Sequence, residues 1–239
     1  MFKKLITIFV LITVIASFGL VGCAVAVRGS GDVIEETREI SNFDRVALDG
    51  MGEIILTQGE TTSLIVEAED NLMQYIKTTV RGDELTINIQ SRRPIIPSRS
   101  IKFYITTPNL EAVSVDGAGV VSIDELDTDS LKLSMDGSGY MNIDELDASE
   151  LLIDINGLGD LDVAGSTNSL EIDIDGSGNF NGRNLESQTA SIDIDGLGNA
   201  TINVENSLDV NVDGSGQVTY YGDPVVSQDI NGLGRVVRK

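Results

Sequence analysis

The chain lacks several residues on which catalysis and disulfide cross-linking usually depend. It has no histidine and no tryptophan, one cysteine, four prolines, and only 5% aromatic residues. Without histidine it lacks the most common general base and metal ligand at neutral pH. The single cysteine, Cys23, excludes an intramolecular disulfide. Paired carboxylates are the main catalytic chemistry that remains, so an enzyme is disfavoured.

Positive charge is also scarce, above all in the second half of the chain. Residues 111–234 contain 25 Asp and Glu against two basic residues, Lys132 and Arg183, whereas residues 23–110 contain 13 against nine. The formal net charge of the whole chain is −22. A surface this acidic repels phosphates, which argues against nucleic acid and against direct docking on anionic lipid.

The N-terminal segment has the pattern of a secretory signal. Lys3 and Lys4 precede an apolar run from residue 5 to residue 21, and small residues follow it. A retained membrane helix is the alternative, but the run is marginal for one. The sequence Leu20-Val21-Gly22-Cys23 resembles the lipobox of bacterial lipoproteins, which implies removal of residues 1–22 and lipidation of Cys23.

Lipidation of Cys23 predicts an exported protein attached to a membrane, because two or three acyl chains anchor a protein stably. Residues 23–42 then form a lipidated tether that leads into the first strand. Ala24, where an Asp often signals inner-membrane retention, favours the outer membrane if the organism has one.

A phrase of apolar residues ending in Asp/Asn-Gly-x-Gly returns along the rest of the chain. Its seven serial copies begin at Asp116, Asp136, Asn156, Asp175, Asp195, Asp213 and Asn231. The spacings are 20, 20, 19, 20, 18 and 18 residues, which is the signature of a repeat architecture. An earlier copy at Asp49–Gly52 stands alone.

Each repeat alternates apolar and polar residues, so one face of every strand is buried. In the unit that contains Asp136, we expect the inward residues to be Leu131, Leu133, Met135, Met141, Ile143 and Leu146. An antiparallel meander would need about fourteen short strands, more than open sheets usually hold. We therefore predict an all-β fold, a β-solenoid with coils of roughly 18–20 residues over residues 111–239.

Two features of the repeat support stacked coils. The residue between the glycines alternates between small and large, as in Ser138, Leu158, Ser177 and Leu197, which would fill a stacked column without collision. The paired glycines allow a positive φ where each coil bends. The predicted turn-forming residues are Gly137, Gly139, Gly157, Gly159, Gly176, Gly178, Gly196 and Gly198.

Residues 43–110 predict a strand-rich section that starts or caps the stack. Strands are expected at residues 64–66, 85–89 and 101–106, and a helical turn at residues 70–76 with Asp70 as its cap. Residues 91–100 form a predicted loop, because they contain two prolines.

Four stretches in a fixed order resemble a known family. They are Phe43-Asp44-Arg45-Val46 leading to Gly50-Met51-Gly52, then Pro108-Asn109-Leu110, the serial Gly-x-Gly units, and Tyr220-Tyr221-Gly222-Asp223-Pro224 with a closing Gly232-Leu233-Gly234. Together they resemble the putative auto-transporter adhesin head GIN domain family over roughly residues 29–237. The resemblance implies a right-handed, single-stranded β-helix-like fold and a role in adhesion or surface structure. It supplies no catalytic residues.

Aspartates recur at the outward positions before each Gly-x-Gly. Stacked carboxylates either attract cations or have raised pKa values. One hypothesis is a Ca²⁺ site formed by Asp173, Asp175, Asp193 and Asp195, because Ca²⁺ prefers oxygen ligands. The alternative is a solvated face that prevents edge pairing, with turn chemistry explaining Asp or Asn before Gly. No other cofactor is expected.

The sequence thus predicts a non-catalytic, lipid-anchored envelope protein that binds a glycan or a surface protein, or acts as a scaffold. Arg92, Arg93, Arg99 and Lys102 either contact an anionic glycan or form a solvated loop. Tyr220 and Tyr221 either stack on sugar or cap the core. The alternative function is a carbohydrate-active β-helix enzyme, which would show an acid pair in a cleft with aromatic walls.

Overall fold

The computed structural model describes residues 26–239, so the predicted signal peptide 1–22 and Cys23 lie outside the described residues. The described part is nearly all β, with fifteen strands and one 3-10 turn, Met73–Tyr75. No helix in residues 26–239 is long and apolar enough to cross a membrane.

The strands follow in chain order. They are β1 (Val27–Arg28), β2 (Val33–Arg38), β3 (Arg45–Gln58), β4 (Ser63–Glu69), β5 (Ile76–Arg81), β6 (Glu84–Ile89), β7 (Ile95–Ile96), β8 (Lys102–Thr107), β9 (Ala112–Gly157), β10 (Asp160–Gly176), β11 (Asn179–Gly196), β12 (Asn199–Gly214), β13 (Gln217–Tyr221), β14 (Val225–Gly232) and β15 (Arg235–Arg238).

The repeats form a β-solenoid of about five turns, as the sequence predicts. β9, β10, β11 and β12 pair in parallel, and equivalent residues stand in register, for example Ile153, Ile172 and Ile192. A meander would pair neighbouring strands antiparallel, so this pairing rules the meander out.

The apolar side of each strand faces the interior of the coil. The predicted inward residues of the unit around Asp136 are all buried, with exposed fractions of 2% or less. Phe103 and Phe180 are among the largest fully buried side chains. The core extends from Phe43 to Val218, with Ile40 and Val236 packed at its margins, so residues 24–239 contain all of the core that the structure describes.

The two glycines of each corner have different roles, which corrects the expectation that both allow a positive φ. Gly196 has φ 137°, and a Cβ there would collide with the carbonyl oxygen of Gly176. Gly198 has no positive φ, but a Cβ there would lie 2.5 Å from Cγ2 of Ile174 in the preceding coil. The first glycine therefore provides the bend, and the second leaves room for the core.

The same division holds at the other predicted corners. Gly137, Gly157 and Gly176 have φ values of 136°, 142° and 128°. Gly139, Gly159 and Gly178 have no positive φ, and a Cβ at each would collide with the preceding coil.

The residue between the glycines lies on the outside of the solenoid. Leu158, Leu197 and Leu233 are 67%, 62% and 86% exposed. The predicted β-solenoid is present, but the residues between the glycines do not fill a packed column as predicted, because they lie outside the core.

The copy at Asp49–Gly52 was predicted to stand alone, but it stacks directly on the first of the serial copies. β3 pairs in parallel with the start of β9, so Asp49 is opposite Asp116 and Gly50 is opposite Gly117. Residues 59–111 are an excursion between the first two levels. Within it β8 extends the sheet beyond β3 in parallel, and β4 and β2 add antiparallel strands.

The predicted helical turn is present, but its cap was assigned wrongly. Leu72 is the N-cap of the 3-10 turn, and no side chain caps it. Asp70 instead accepts hydrogen bonds from the backbone N–H of Asn71 and the hydroxyl of Ser30. The carboxylate of Asp70 therefore holds the segment that enters the fold from the N-terminus.

Candidate functional surfaces

The strand segments before each Gly-x-Gly present the predicted columns of acid, here called the acid face. Asp173 is opposite Asp193, and Asp175 is opposite Asp195. All four carboxylates are exposed. The acid face also includes Asp116, Asp136, Asp154, Asp213 and Asp229.

Repulsion within the acid face is visible at Asp173. Partial burial raises the pKa of the Asp173 carboxyl, and the charges of Asp175, Asp154 and Asp193 raise it further. One coil further on, Nδ2 of Asn211 lies 3.2 Å from both carboxylate oxygens of Asp193.

Within residues 26–239 no three His, Cys, Asp or Glu side chains converge as metal ligands. The Ca²⁺ site at Asp173, Asp175, Asp193 and Asp195 stays a prediction.

The strand segments after each Gly-x-Gly present a different surface, here called the amide face. Its first column contains Tyr140, Asp160, Asn179, Asn199 and Gln217. Its second column contains Asn142, Asp162, Asn181, Thr201 and Thr219. Amides and hydroxyls occupy most of the positions that carboxylates occupy on the acid face.

Hydrogen bonds run from coil to coil along the amide face. Oη of Tyr140 donates to Oδ2 of Asp162 at 2.6 Å, and Nδ2 of Asn181 donates to Oδ1 of Asp162 at 2.7 Å. Nδ2 of Asn179 donates to Asp160 at 2.7 Å, and Nδ2 of Asn199 donates to Oδ1 of Asn179 at 2.9 Å. Both aspartates of this face therefore have amide or hydroxyl donors.

The bond to Asp162 also fixes the protonation state of Tyr140. That hydrogen bond, together with desolvation and the charge of Asp162, raises the pKa of the Tyr140 phenol to about 12. Tyr140 is 38% exposed.

Each side-chain amide has two N–H donors and one carbonyl acceptor, so one hydrogen bond to a neighbouring coil leaves further donors or acceptors for a ligand.

The amide face was not predicted from the sequence, because the pattern considered there was that of the positions before the Gly-x-Gly, where aspartate dominates. An alignment of the repeats continued by four residues past the Asp or Asn places Tyr140, Asp160, Asn179 and Asn199 in one column.

The two C-terminal tyrosines have separate environments. Tyr220 packs against the margin of the core. The guanidinium carbon of Arg183 lies 4.9 Å from the centre of the Tyr221 ring, a cation–π contact. The core-capping interpretation therefore fits Tyr220, and Tyr221 belongs to the outer surface that carries Arg183.

A groove with a volume of about 930 Å³ lies beside the first coils of the stack. Its lining includes Arg45, Glu111, Asp127, Lys132 and Glu150, with no aromatic residue. Arg45 forms ion pairs of 3.3 Å with Asp83 and with Glu111. The groove thus lacks the aromatic walls that the carbohydrate-active enzyme alternative requires.

The basic cluster lies at the N-terminal end of the stack. Arg92, Arg93 and Arg99 are exposed, and Nζ of Lys102 lies 3.9 Å from a carboxylate oxygen of Glu53. β7 lies within this loop and pairs in parallel with β1. The predicted loop is therefore hydrogen-bonded to the chain that enters from the N-terminus.

Several crystal structures are similar to this fold. A putative adhesin from Bacteroides fragilis is 26% identical with a TM-score of 0.82, covering 90% of this chain and 100% of that chain. A putative adhesin from Parabacteroides merdae is 20% identical with a TM-score of 0.70, covering 90% and 99%. A putative lipid binding protein from Parabacteroides distasonis is 22% identical with a TM-score of 0.68, covering 90% and 99%. The last two show a shared fold.

No curated protein sequence matches the chain. The family model described as "Putative auto-transporter adhesin, head GIN domain" matches residues 42–224, which is most of the chain, so the protein belongs to that family.

Proposed function

We propose that the protein is a non-catalytic binding module of the cell envelope, anchored by lipid on Cys23, whose ligand is an uncharged polysaccharide held on the amide face. The observation that carries this proposal is the amide face itself. In a chain with a net charge of −22, it is a run of stacked amides and hydroxyls with an exposed tyrosine ring beside it.

The chemistry of the amide face matches sugar hydroxyls better than it matches the alternatives. Amides and hydroxyls both donate and accept hydrogen bonds, as sugar hydroxyls do. Protein interfaces are enriched in several aromatic residues at their centre, whereas Tyr140 is the only aromatic residue in the two columns. An anionic ligand would be repelled by the neighbouring acid face.

The repeat also favours an extended ligand. Strands stack about 4.8 Å apart, so equivalent amides recur at that interval along the solenoid. A polymer that lies along the stack can form the same contact at several levels, and its affinity increases with each level engaged.

Lipid attachment and binding are tested separately. Metabolic labelling with a fatty acid should label the full chain, and Cys23→Ala should abolish the label. A chain that remains unlabelled in an export-competent bacterium would remove the lipid anchor from the proposal without affecting the amide face.

Binding is tested with a glycan array and residues 24–239, with and without Ca²⁺. We expect retention on uncharged polysaccharides. Tyr140→Ala should weaken retention about tenfold, because the proposed stacking of the Tyr140 ring on a sugar ring and one edge of the ligand site would be lost. Leu158→Ala, which removes an exposed apolar side chain from the next coil, is the matched control and should leave retention unchanged. Retention only on anionic glycans, or equal loss in both variants, would contradict the proposal.

A further inference from the structure

The entering chain and the basic loop form one structural unit at the N-terminal end of the stack. We call residues 26–32 and 91–102 the tether platform. The backbone N–H of Val27 donates to the carbonyl of Pro94 at 2.8 Å, and that of Gly29 donates to the carbonyl of Ile96 at 3.0 Å. These are the bonds of the parallel pair β1–β7.

A buried carboxylate locks the two segments together. Glu69 is 1% exposed, and its Oε1 accepts a hydrogen bond from the N–H of Gly31 at 2.7 Å. Its Oε2 accepts from the N–H of Ser98 at 2.9 Å, and the Ser98 hydroxyl donates to Oε1. The bond from the Ser98 hydroxyl, opposed by burial and reinforced by backbone donors, lowers the pKa of the Glu69 carboxyl. Glu69 therefore stays charged at neutral pH and keeps both segments in place.

Asn71 secures the remaining part of the entering chain. Its Nδ2 donates to the carbonyl of Arg28 at 2.8 Å, and its Oδ1 accepts from the N–H of Ser30 at 3.0 Å. The platform is consequently a shaped surface rather than a pair of independent loops.

The tether platform has the opposite charge to the rest of the molecule. Arg28, Arg92, Arg93 and Arg99 are exposed, and none of them forms an ion pair within residues 26–239. Asp32 is the only acidic residue in the two segments. Of the acidic residues on neighbouring elements, Glu69 is buried, Asp70 accepts from the entering chain and Glu53 faces Lys102, while Glu35 and Glu67 are opposite each other on β2 and β4. Ile96 lies among the arginines and is 48% exposed.

The length of chain before the platform determines what it meets. Val27 is four residues after Cys23, and an extended chain covers at most about 3.6 Å per residue, or about 14 Å in total. A lipid on Cys23 places that residue at the bilayer interface. Val27, at the start of the platform, then lies within about 14 Å of the headgroups.

The acid face does not cancel this attraction. Asp175 is four strand levels from Asp49, which is about 19 Å at 4.8 Å per level. The Debye length at physiological ionic strength is about 8 Å. The carboxylates from Asp175 onward are therefore screened from the level of Asp49, whereas Asp116 lies one level from it.

We propose that the tether platform binds the anionic phospholipid headgroups of the membrane that holds the Cys23 lipid, and so holds the N-terminal end of the solenoid against the bilayer. This inference rests on the anchoring part of the proposed function and is independent of the glycan. It differs from the expectation based on overall charge, because the charge is distributed unevenly along the stack. Each arginine close to an anionic leaflet tightens binding about fivefold.

The test is sedimentation of residues 24–239 with vesicles of phosphatidylcholine alone or mixed with phosphatidylglycerol. We expect binding only to the anionic vesicles and a decrease with added salt. The triple variant Arg92→Gln, Arg93→Gln and Arg99→Gln should lose on the order of a hundredfold. The triple variant Arg235→Gln, Arg238→Gln and Lys239→Gln removes the same charge from exposed residues at the opposite end and should bind as the unchanged chain does.

Equal loss in the two triple variants, or no binding to anionic vesicles, would overturn the proposal. A soluble anionic polysaccharide that displaces the protein from the vesicles at matched charge concentration would assign the platform to glycan binding instead. Because the protein tested carries no acyl chain, the outcome does not depend on whether Cys23→Ala changes fatty-acid labelling. Failure of this inference and failure of the lipid anchor are therefore separate results.

Discussion

The acid face and the amide face are built by the same coils on either side of the same corner, yet the stacked pair Asp173–Asp193 on the first and Asp162–Asn181 on the second interact with opposite sign. On the acid face, Asp173 is opposite Asp193, and the pKa of Asp173 is raised by burial and by its neighbours. On the amide face, Asp162 is opposite Asn181 and accepts its amide hydrogen. Because the coils stack in register, equivalent side chains of neighbouring coils meet, and the sequence determines whether that contact is repulsive or attractive.

The difference has a functional meaning. A column of like charges resists compaction and blocks lateral pairing with other sheets. A column of complementary amides orders its own side chains, which lowers the entropy lost when a ligand binds. On the proposed function, the acid face protects the solenoid from lateral pairing and the amide face binds the ligand.

The largest expected effect comes from the corner that both faces share. Gly196→Ala should lower the free energy of unfolding by about 3 kcal/mol, because the positive φ disfavours any side chain and the new Cβ collides with Gly176. Leu197→Ala, at the neighbouring exposed position, should change it by less than about 0.5 kcal/mol. Urea denaturation measures both variants. Similar free energies of unfolding for the two variants would show that the coils can stack without a glycine at this corner.

Exchanging a carboxylate for an amide should have opposite effects on the two faces. Asp162→Asn removes the charged acceptor of Tyr140 and Asn181 and should cost about 1–2 kcal/mol. Asp173→Asn relieves repulsion and should stabilise by about 0.5 kcal/mol at pH 7. Thermal unfolding of the two variants measures the sign, and a loss of stability in Asp173→Asn would contradict the comparison.

The Asp173→Asn effect should also depend on pH. A raised pKa means that the folded state favours the protonated carboxyl, so the native chain is penalised only once Asp173 is charged. The advantage of Asp173→Asn should therefore vanish as the pH falls below the ordinary value of 3.8. A difference that persists in acid would have to come from something other than charge.

A third contrast uses the phenol of Tyr140. With a pKa of about 12, it should stay protonated through the range in which an ordinary tyrosine with a pKa of 10.0 ionises. Its hydrogen bond stabilises the fold below pH 10 and is lost as the pH rises through about 12. Ultraviolet titration should show that Asp162→Asn brings this pKa back towards its ordinary value while Asp173→Asn leaves it unchanged. An ordinary pKa for the Tyr140 phenol in the native chain would mean that it does not donate a hydrogen bond to Asp162, and would contradict this description of the amide face.

The smallest effect is expected from divalent ions on the acid face. Because the described residues provide pairs of carboxylates rather than three convergent ligands, titration calorimetry should give heats for millimolar Ca²⁺ no larger than for Mg²⁺. A saturable heat specific to Ca²⁺ and lost in Asp173→Asn would instead establish the calcium site that the sequence predicts.

The sequence predicts the parts of this fold that repeat and misses the parts that occur once. The period and the alternation predict the buried side of every coil, including Met141 and Ile143. The stacking of Gly50 on Gly117 could not be read from the period, because 67 residues separate the two levels. The two-residue pairing of β1 with β7 carries no sequence pattern at all.

Errors of interpretation arose where one pattern has two physical causes. Glycine is needed at Gly196 for its φ and at Gly198 for its small size, and the repeat alone does not separate the two. The residue between the glycines, as at Leu158, alternates in size as a packed column would, although the corner projects it outward.

The most direct test of the central claim is one substitution made on each face. Asn181→Asp and Asn211→Asp each replace an amide that donates to an aspartate in the neighbouring coil. Both should lower the melting temperature by a similar amount. On the glycan that the array identifies, we predict that Asn181→Asp weakens binding about tenfold, while Asn211→Asp leaves binding unchanged. Equal losses, or a loss in Asn211→Asp alone, would contradict the assignment of binding to the amide face.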